Sequence, residues 1–281
     1  MRNALSVDVE DWFQVGAFET VIDRGAWDSY APRVERNTDD VLALFDEAGV
    51  KATFFTLGWV AERHPALIRR IAEAGHEIAS HGFDHRRVFT MSEAEFRADL
   101  IRARGIIEDV TGHPVTGYRA PSFSVDPRTP WAHQVLAEQG YAYSSSVAPI
   151  RHDHYGWPEA PRFAWRPVAD AELIELPVTT FELAGRRFAA GGGGFFRVLP
   201  YALSSWAIDR VNGDEERPAI FYFHPWEVDK DHPLVPNAPL RSKLRHFTNL
   251  SGMRSKLLKL LNAHEWGRTD EVAAIERARL P

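Results

Sequence analysis

The chain has 281 residues, 44% of them hydrophobic and 26% charged, an ordinary globular composition with ample length for a sizeable core. A formal charge of -6 offers no basic excess to neutralise phosphates, which argues against a general nucleic-acid binder. With no cysteine there are no disulfides, thiol nucleophiles or thiolate-ligated metals, so any metal must rest on His, Asp or Glu.

No apolar run is long enough to span a bilayer, and Met1 to Asp8 contains no apolar leader region, so a cytoplasmic location is the expectation. Residues 4–9 alternate apolar with small or acidic side chains and predict a first strand, which runs into Glu10-Asp11-Trp12-Phe13. Thr38 is the expected cap of a helix whose apolar positions Val41, Leu44, Phe45 and Ala48 keep the helical period until Gly49. Ala52 to Leu57 predicts strand two, and Pro65 opens a helix that ends at Gly75. Strand three, His76 to Ser80, gives out at Gly82, so His81 and His85 sit in a turn.

Ser92 and Glu95 form a capping box for the longest amphipathic helix, which runs through Phe96, Leu100 and Ile107 to Gly112. Strand four is Val115 to Tyr118, a helix covers about Thr129 to Glu138, and Tyr141 to Ser145 is strand five. The recurring order of helix, glycine and strand argues for alternating β and α elements with a parallel sheet. Residues 148–167 read as an irregular loop, and Leu173 to Val178 as strand six. The run Gly191 to Gly194 lacks the lysine and hydroxyl of a phosphate loop, so a hinge or a tight backbone approach is expected. A helix over Tyr201 to Val211 precedes strand seven, Ala219 to Phe223, which leads into His224-Pro225-Trp226. The proline-rich stretch from Asp231 to Pro239 reads as a surface linker. Leu240 to Asn262, with Leu244, Phe247, Leu250, Met253, Leu257 and Leu261 among six Lys or Arg, reads as a basic-faced helical segment covering the barrel, with peripheral contact to an anionic surface as the alternative.

Residues with catalytic potential follow five of the predicted strands: Asp8, Glu10 and Asp11, then His81 and His85, then Arg119, then Ser144 to Ser146, then His224. In a β/α barrel these strand ends open onto one face, so the scattered residues meet. Two imidazoles four apart on a loop can share one divalent cation if a carboxylate arrives from elsewhere. Asp8 and Glu10 lie on the same side of a strand, so one can bind metal while the other serves as a base, with Asp11 in the turn beyond. Arg119, set before Pro121, can clamp a carboxylate such as Asp8, and His224 after four apolar residues can be a proton donor. Trp12, Phe123 and Trp226 could stack on a sugar ring. Each group also has a plain structural reading, as an acidic strand cap, a structural ion pair or packed aromatics.

Ser-Val-Asp-Val-Glu-Asp-Trp-Phe, Ser-His-Gly-Phe-Asp-His, Arg-Ala-Pro-Ser-Phe and Phe-His-Pro-Trp-Glu, in this order, resemble the motifs of the polysaccharide deacetylases, the NodB-homology domain of carbohydrate esterase family four. Residues 189–201 and the tail from Arg241 to Leu261 resemble the subfamily found with bacterial exopolysaccharide and exosortase loci. The resemblance implies a distorted (β/α)7 barrel over residues 1–230 with a C-terminal helical extension over 231–281. It further implies a divalent metal, usually zinc, and hydrolysis of N-acetyl groups on the hexosamines of a polysaccharide, in exopolysaccharide biosynthesis. By position, Asp8 would be the base, Arg119 its orienter, His224 the general acid, and His81 and His85 metal ligands, with Glu10 or Asp11 completing the set. Ser145 would contact substrate with Trp12, Phe123 and Trp226. The chain departs from the family in having Val9 where a second aspartate is common, and in reading Ser144-Ser145-Ser146 where Asp-Ser-Ser is usual. Two other readings fit the same scaffold: a non-catalytic carbohydrate-binding protein, and an amidase acting on a small non-sugar amide.

Overall fold

The computed structural model of the chain describes residues 1–152, 155–235 and 237–280. β1 (Asn3–Val9), β2 (Thr53–Thr56), β3 (Glu77–Ser80), β4 (Gly117–Tyr118), β5 (Tyr143–Ser144) and β6 (Ile174–Glu175) lie side by side in that order, all parallel. β1 and β2 are buried at every position, as strands covered on both faces must be. An antiparallel hairpin, β7 (Thr180–Leu183) and β8 (Arg186–Ala189), stands outside the sheet. β9 (Ile220–Phe223) returns to pair with Ala4 to Val7 of β1, and because β2 also pairs with Ser6 and Val7, β9 takes the opposite edge. β10 (Trp266–Gly267) pairs with Asn3 and Ala4.

Seven parallel strands therefore run from β9 through β1 to β6, and the curved sheet is closed only by isolated bonds. Thr179 N–H reaches the carbonyl of Ile220 at 3.2 Å, and Tyr222 N–H that of Gly191 at 2.8 Å. This is the distorted (β/α)7 barrel that the motifs implied. The glycine run makes the closure possible. A Cβ on Gly191 would collide with the Ile220 carbonyl, and one on Gly193 with the Glu227 carboxylate and Phe223. Tight backbone approach, not phosphate binding, explains these positions.

The helices in chain order are α1 (Val34–Ala48), α2 (Gly58–Arg63), α3 (Pro65–Glu73), α4 (Glu93–Thr111), α5 (Ala132–Glu138), α6 (Gly193–Val198), α7 (Tyr201–Gly213), α8 (Leu240–Phe247), α9 (Leu250–Ala263) and α10 (Thr269–Arg279). The Ser92–Glu95 capping box at α4 is present in both directions. Three expectations need correction. α1 starts a turn before Thr38, which is buried within it, because an acidic side chain from outside the helix holds its first N–H groups. The stretch after Asp231 is not a surface linker: His232, Val235 and Ala238 are buried. In the tail, Leu250, Met253, Leu257 and Leu261 face inward as expected, but Leu244 points to solvent. α9 packs against α1 and α6, so the tail does cover the barrel.

Several buried imidazoles need the neutral form. His76, just ahead of β3, accepts the Ala52 N–H on Nδ1 at 3.1 Å, and burial, with Lys51 nearby, lowers its pKa to about 4. Burial lowers that of His232 to about 4 as well, against the pull of Asp229. An unfolded histidine titrates near 6.5, so below that pH the unfolded chain binds more protons than the fold. Stability is therefore full above about pH 6.5 and falls as the pH drops toward about 4, by on the order of 1 kcal/mol for each group after allowance for solvent screening. Thermal melts across this range should show the decline. His76→Asn, which keeps an acceptor for Ala52, should lose part of it, and an unchanged pH dependence in that variant would refute the assignment.

Candidate active site and metal centre

β1 delivers the first two groups. Asp8 is its penultimate residue and Glu10 follows its end, so the alternation along a strand turns both carboxylates the same way. β3 ends at Ser80, and the chain then turns through Gly82 to His85, which holds the left-handed conformation at φ 58°. A histidine there is uncommon and points to a conformation fixed by its surroundings. Arg24 supplies part of that fixing, donating to the carbonyls of Asp84 (3.1 Å) and His85 (3.3 Å).

Ligand atoms of Glu10, His81 and His85 all lie within 4.8 Å of one another, and all three residues are buried. His85 Nε2 stands 3.1 Å from Glu10 Oε2, an oxygen that has no hydrogen-bond donor among the described residues. His81 donates from Nδ1 to the Arg119 carbonyl at 2.8 Å, which leaves its Nε2 lone pair for a ligand. Burial lowers the pKa of His81 to about 4 and that of His85 well below its ordinary value, so both imidazoles are neutral at pH 7. An orphaned carboxylate oxygen beside two neutral imidazoles is a donor set suited to a divalent cation such as zinc.

Asp8 lies beside this cluster and belongs to Arg119, whose Nη1 donates to Asp8 Oδ1 at 2.6 Å and to Ser6 Oγ at 2.8 Å. The rest of the guanidinium is held by the Ser145 carbonyl (3.1 Å) and Ser145 Oγ (3.0 Å), above the ring of Phe55 at 4.0 Å. On the other side, His224 Nε2 is 3.1 Å from Glu10 Oε1. Its Nδ1 donates to Glu227 Oε1 at 2.9 Å. Burial alone would lower the His224 pKa, but Glu10 and Glu227 outweigh it and raise the value to about 9. Burial raises the Glu10 pKa to about 7, with Asp8 adding to it and His224 opposing.

Glu227 escaped the sequence reading although the motif Phe-His-Pro-Trp-Glu contains it. It closes a single 3-10 turn, Pro225–Val228, and accepts the His224 backbone N–H at 3.1 Å as well. Its second oxygen accepts from Arg197 Nε at 2.6 Å. Arg197 is buried and donates further to the carbonyls of Arg245, His246 and Thr248 at the end of α8. No local signal marks Arg197, because its partners come from two distant segments, the turn after β9 and the end of α8.

Five expected site residues are placed differently. Asp11 is not in the cluster: its Oδ1 accepts from Trp12 N (2.8 Å) and its Oδ2 from Arg33 N (2.7 Å) and Val34 N (2.9 Å), which makes it the cap of α1. Ser145 is fully buried and spends its polar atoms on Arg119. Trp12 is packed between Phe13 and Tyr30 with its indole N–H toward the Ala31 carbonyl. Trp226 is stacked between His224 (5.1 Å) and His246 (3.9 Å), and so offers no face to a sugar. Phe123 is also buried, its ring 4.7 Å from that of Tyr222. Ser144 and Ser146 bond each other at 2.8 Å, and Ser146 Oγ accepts the Ala120 N–H at 2.9 Å, so these serines set the backbone around Arg119.

The protein also carries two cavities. One of about 380 Å³ reaches His85 and is lined by Gln14, Val15, Glu19, Arg24 and Trp27. Another of about 560 Å³, between α5 and the loop that follows β5, is lined by Trp157 and Trp165.

A parallel barrel whose strand ends gather one carboxylate and two imidazoles, with a second carboxylate and a third imidazole alongside, defines a class of α/β proteins with a cluster that could hold a metal ion. Residues 22–144 match the model of the polysaccharide deacetylase family, while residues 145–274 match a domain of unknown function, DUF3473. Asp8 and Glu10 precede the first match, and Arg197, His224 and Glu227 fall in the second. A peptidoglycan deacetylase of Helicobacter pylori is 30% identical over 107 residues, 38% of this chain and 36% of that protein. A peptidoglycan-N-acetylglucosamine deacetylase of Bacillus cereus is 34% identical over 84 residues, 30% of each chain. The similarity thus spans about a third of these curated relatives. Among solved structures, one described as a polysaccharide deacetylase of Mycobacterium smegmatis covers 99% of this chain and 92% of its own at a TM-score of 0.63 and 22% identity. PuuE allantoinase covers 98% and 89% at 0.61 and 16%. At these identities the two structures share the fold.

Proposed function

We propose that this protein is a metal-dependent hydrolase that removes N-acetyl groups from hexosamine residues of a polysaccharide, in the exopolysaccharide biosynthesis of a bacterium. Zinc as the ion and a cytoplasmic location are part of the proposal. So is the division into a catalytic unit, residues 1–230, and an extension, 231–281. One observation carries it: Glu10, His81 and His85 converge to within 4.8 Å with Asp8 on one side and His224 on the other. The relatives named above as deacetylases of peptidoglycan support the substrate class.

Glu10, His81 and His85 would hold the ion, which when bound polarises the acetyl carbonyl and acidifies water. Asp8 accepts the proton of the attacking water, its carboxylate aimed by the Arg119 guanidinium at 2.6 Å. His224 presents Nε2 toward the cluster because Glu227 holds Nδ1, and it donates a proton to the departing amine. The cavity at His85 admits the acetylated sugar, and the tryptophan-lined cavity can seat further sugars of the polymer.

Acetate release from chitooligosaccharides and from a native exopolysaccharide tests this directly. A chelator is expected to lower the rate by roughly 10²-fold or more, and added zinc to restore it. Metal binding without acetate release from any N-acetylhexosamine polymer would identify a carbohydrate-binding protein instead. Release only from small amides would identify an amidase.

A further inference from the structure

One fully buried carboxylate belongs neither to the Glu10–His81–His85 cluster nor to its flanks: Glu175, on β6. Three donors converge on it. Its Oε1 accepts the backbone N–H groups of Ser146 at 2.7 Å and Val147 at 2.9 Å, and its Oε2 accepts from His133 Nε2, on α5, at 3.0 Å. A carboxyl that accepts at every contact is arranged as an ionised one. Among the described residues no lysine or arginine pairs with it directly, so its charge is balanced by another route.

The Ser146 N–H shares a peptide group with the Ser145 carbonyl, and that carbonyl accepts Arg119 Nε at 3.1 Å. In a trans peptide the N–H and the C=O point opposite ways, so this one lies between Glu175 and Arg119, the anion at its N–H end and the cation at its C=O end. Ser145, Ser146, Glu175 and Arg119 are all fully buried. Away from water each charge polarises the peptide toward the other, and both bonds strengthen together. The guanidinium is a rigid plane, so the tilt that the Nε bond imposes also places Nη1, the nitrogen 2.6 Å from Asp8 Oδ1.

We infer that Glu175 is a positioning residue for the reaction: through the Ser145–Ser146 peptide it fixes Arg119, and through Arg119 it sets the aim of Asp8. The last link rests on the deacetylase reading, in which Asp8 is the base. A clamp that only gathered two N–H groups would need an acceptor oxygen and no charge, and an amide would serve it. The negative charge is the part that reaches the arginine across the peptide. Glu175→Gln separates the two roles. The amide oxygen can still accept from Ser146 and Val147, and His133 can take its other tautomer and accept from the new NH₂ group, so every bond is kept and the charge alone is lost.

NMR of the whole protein labelled with ¹⁵N, with the Arg119 Nε–H assigned through an Arg119→Lys variant, reads the link without substrate. In the unaltered protein the Ser146 N–H should resonate downfield of the ordinary serine range, as a charge-assisted bond requires, and a signal within that range overturns the inference by itself. In Glu175→Gln the Arg119 Nε–H should move upfield and exchange with solvent about tenfold faster. His133→Gln, which keeps the carboxylate and a donor to Oε2, should leave that signal in place. An unmoved signal in folded Glu175→Gln, or an equal movement in His133→Gln, overturns the inference whatever the activity. Acetate release then tests the last link: Glu175→Gln should lose about tenfold in kcat with KM and metal content unchanged. Unchanged kcat, or a loss confined to KM, refutes the positioning role. An unaltered protein that releases no acetate counts against the deacetylase reading instead, and the Arg119 signal still decides whether Glu175 holds the arginine.

Discussion

An Asp8→Asn variant is expected to retain its metal and lose roughly 10²–10⁴-fold in kcat, whereas His81→Ala should lose metal and turnover together. The split follows from the two sets of contacts. Asp8 lies outside the ligand cluster and gives Oδ1 to Arg119, so an amide there leaves Glu10, His81 and His85 undisturbed while removing the proton acceptor. Arg119 keeps the Ser6 hydroxyl and the Ser145 carbonyl as acceptors in that variant, so the barrel should stay folded. His81 belongs to the cluster, and its loss leaves one imidazole and one carboxylate. Metal content by elemental analysis, set beside acetate release, decides the matter, and equal metal loss in both variants would contradict the roles.

Arg197→Met is expected to destabilise the protein by about 3–5 kcal/mol, a fall in Tm on the order of 10 °C. The change leaves Glu227 buried without its cationic partner and strips a donor from three carbonyls at the end of α8. At present burial pushes the Glu227 pKa up, but Arg197 and His224 outweigh it and hold the carboxyl below its ordinary value. Glu227→Gln is the milder probe, because the amide oxygen can still accept from His224 Nδ1. The charge-assisted part of that bond, about 1.5–3 kcal/mol, corresponds to roughly 10–100-fold in kcat with KM little changed. Loss confined to KM would show that Glu227 serves substrate binding rather than the aim of His224. Through Arg197 the tail bears on catalysis: the end of α8 fixes the arginine, the arginine fixes Glu227, and Glu227 fixes the imidazole.

The parts of this arrangement visible in the sequence are those governed by short-range rules. The capping box at Ser92, the glycine after each of α1 and α4, and the alternation that turns Asp8 and Glu10 to one side are matters of a few neighbouring residues, and the structure shows each of them. The strand-end positions of His81, His85, Arg119 and His224 could be joined into one site because parallel strands must open on a common face. Adjacent positions with the same chemistry were not separable in this way. Asp11 is as acidic as Glu10 and one residue away, and only the arrival of Arg33 and Val34 turns it into a helix cap. The aromatic residues show the same limit: Trp12, Phe123 and Trp226 are buried, while Trp157 and Trp165 line a cavity from within a loop without periodicity.

By itself, then, the sequence determined the alternation of strand and helix, the parallel sheet, and the gathering of two histidines and an acidic pair at its strand ends, because backbone periodicity and the caps of helices depend on nearest neighbours. Which carboxylate joins the histidines, which serine merely supports an arginine, and how Arg197 reaches Glu227 were decided by the tertiary structure. Those outcomes depend on segments far apart in the chain competing for the same buried hydrogen bonds, and each such donor or acceptor must find its partner when water is excluded.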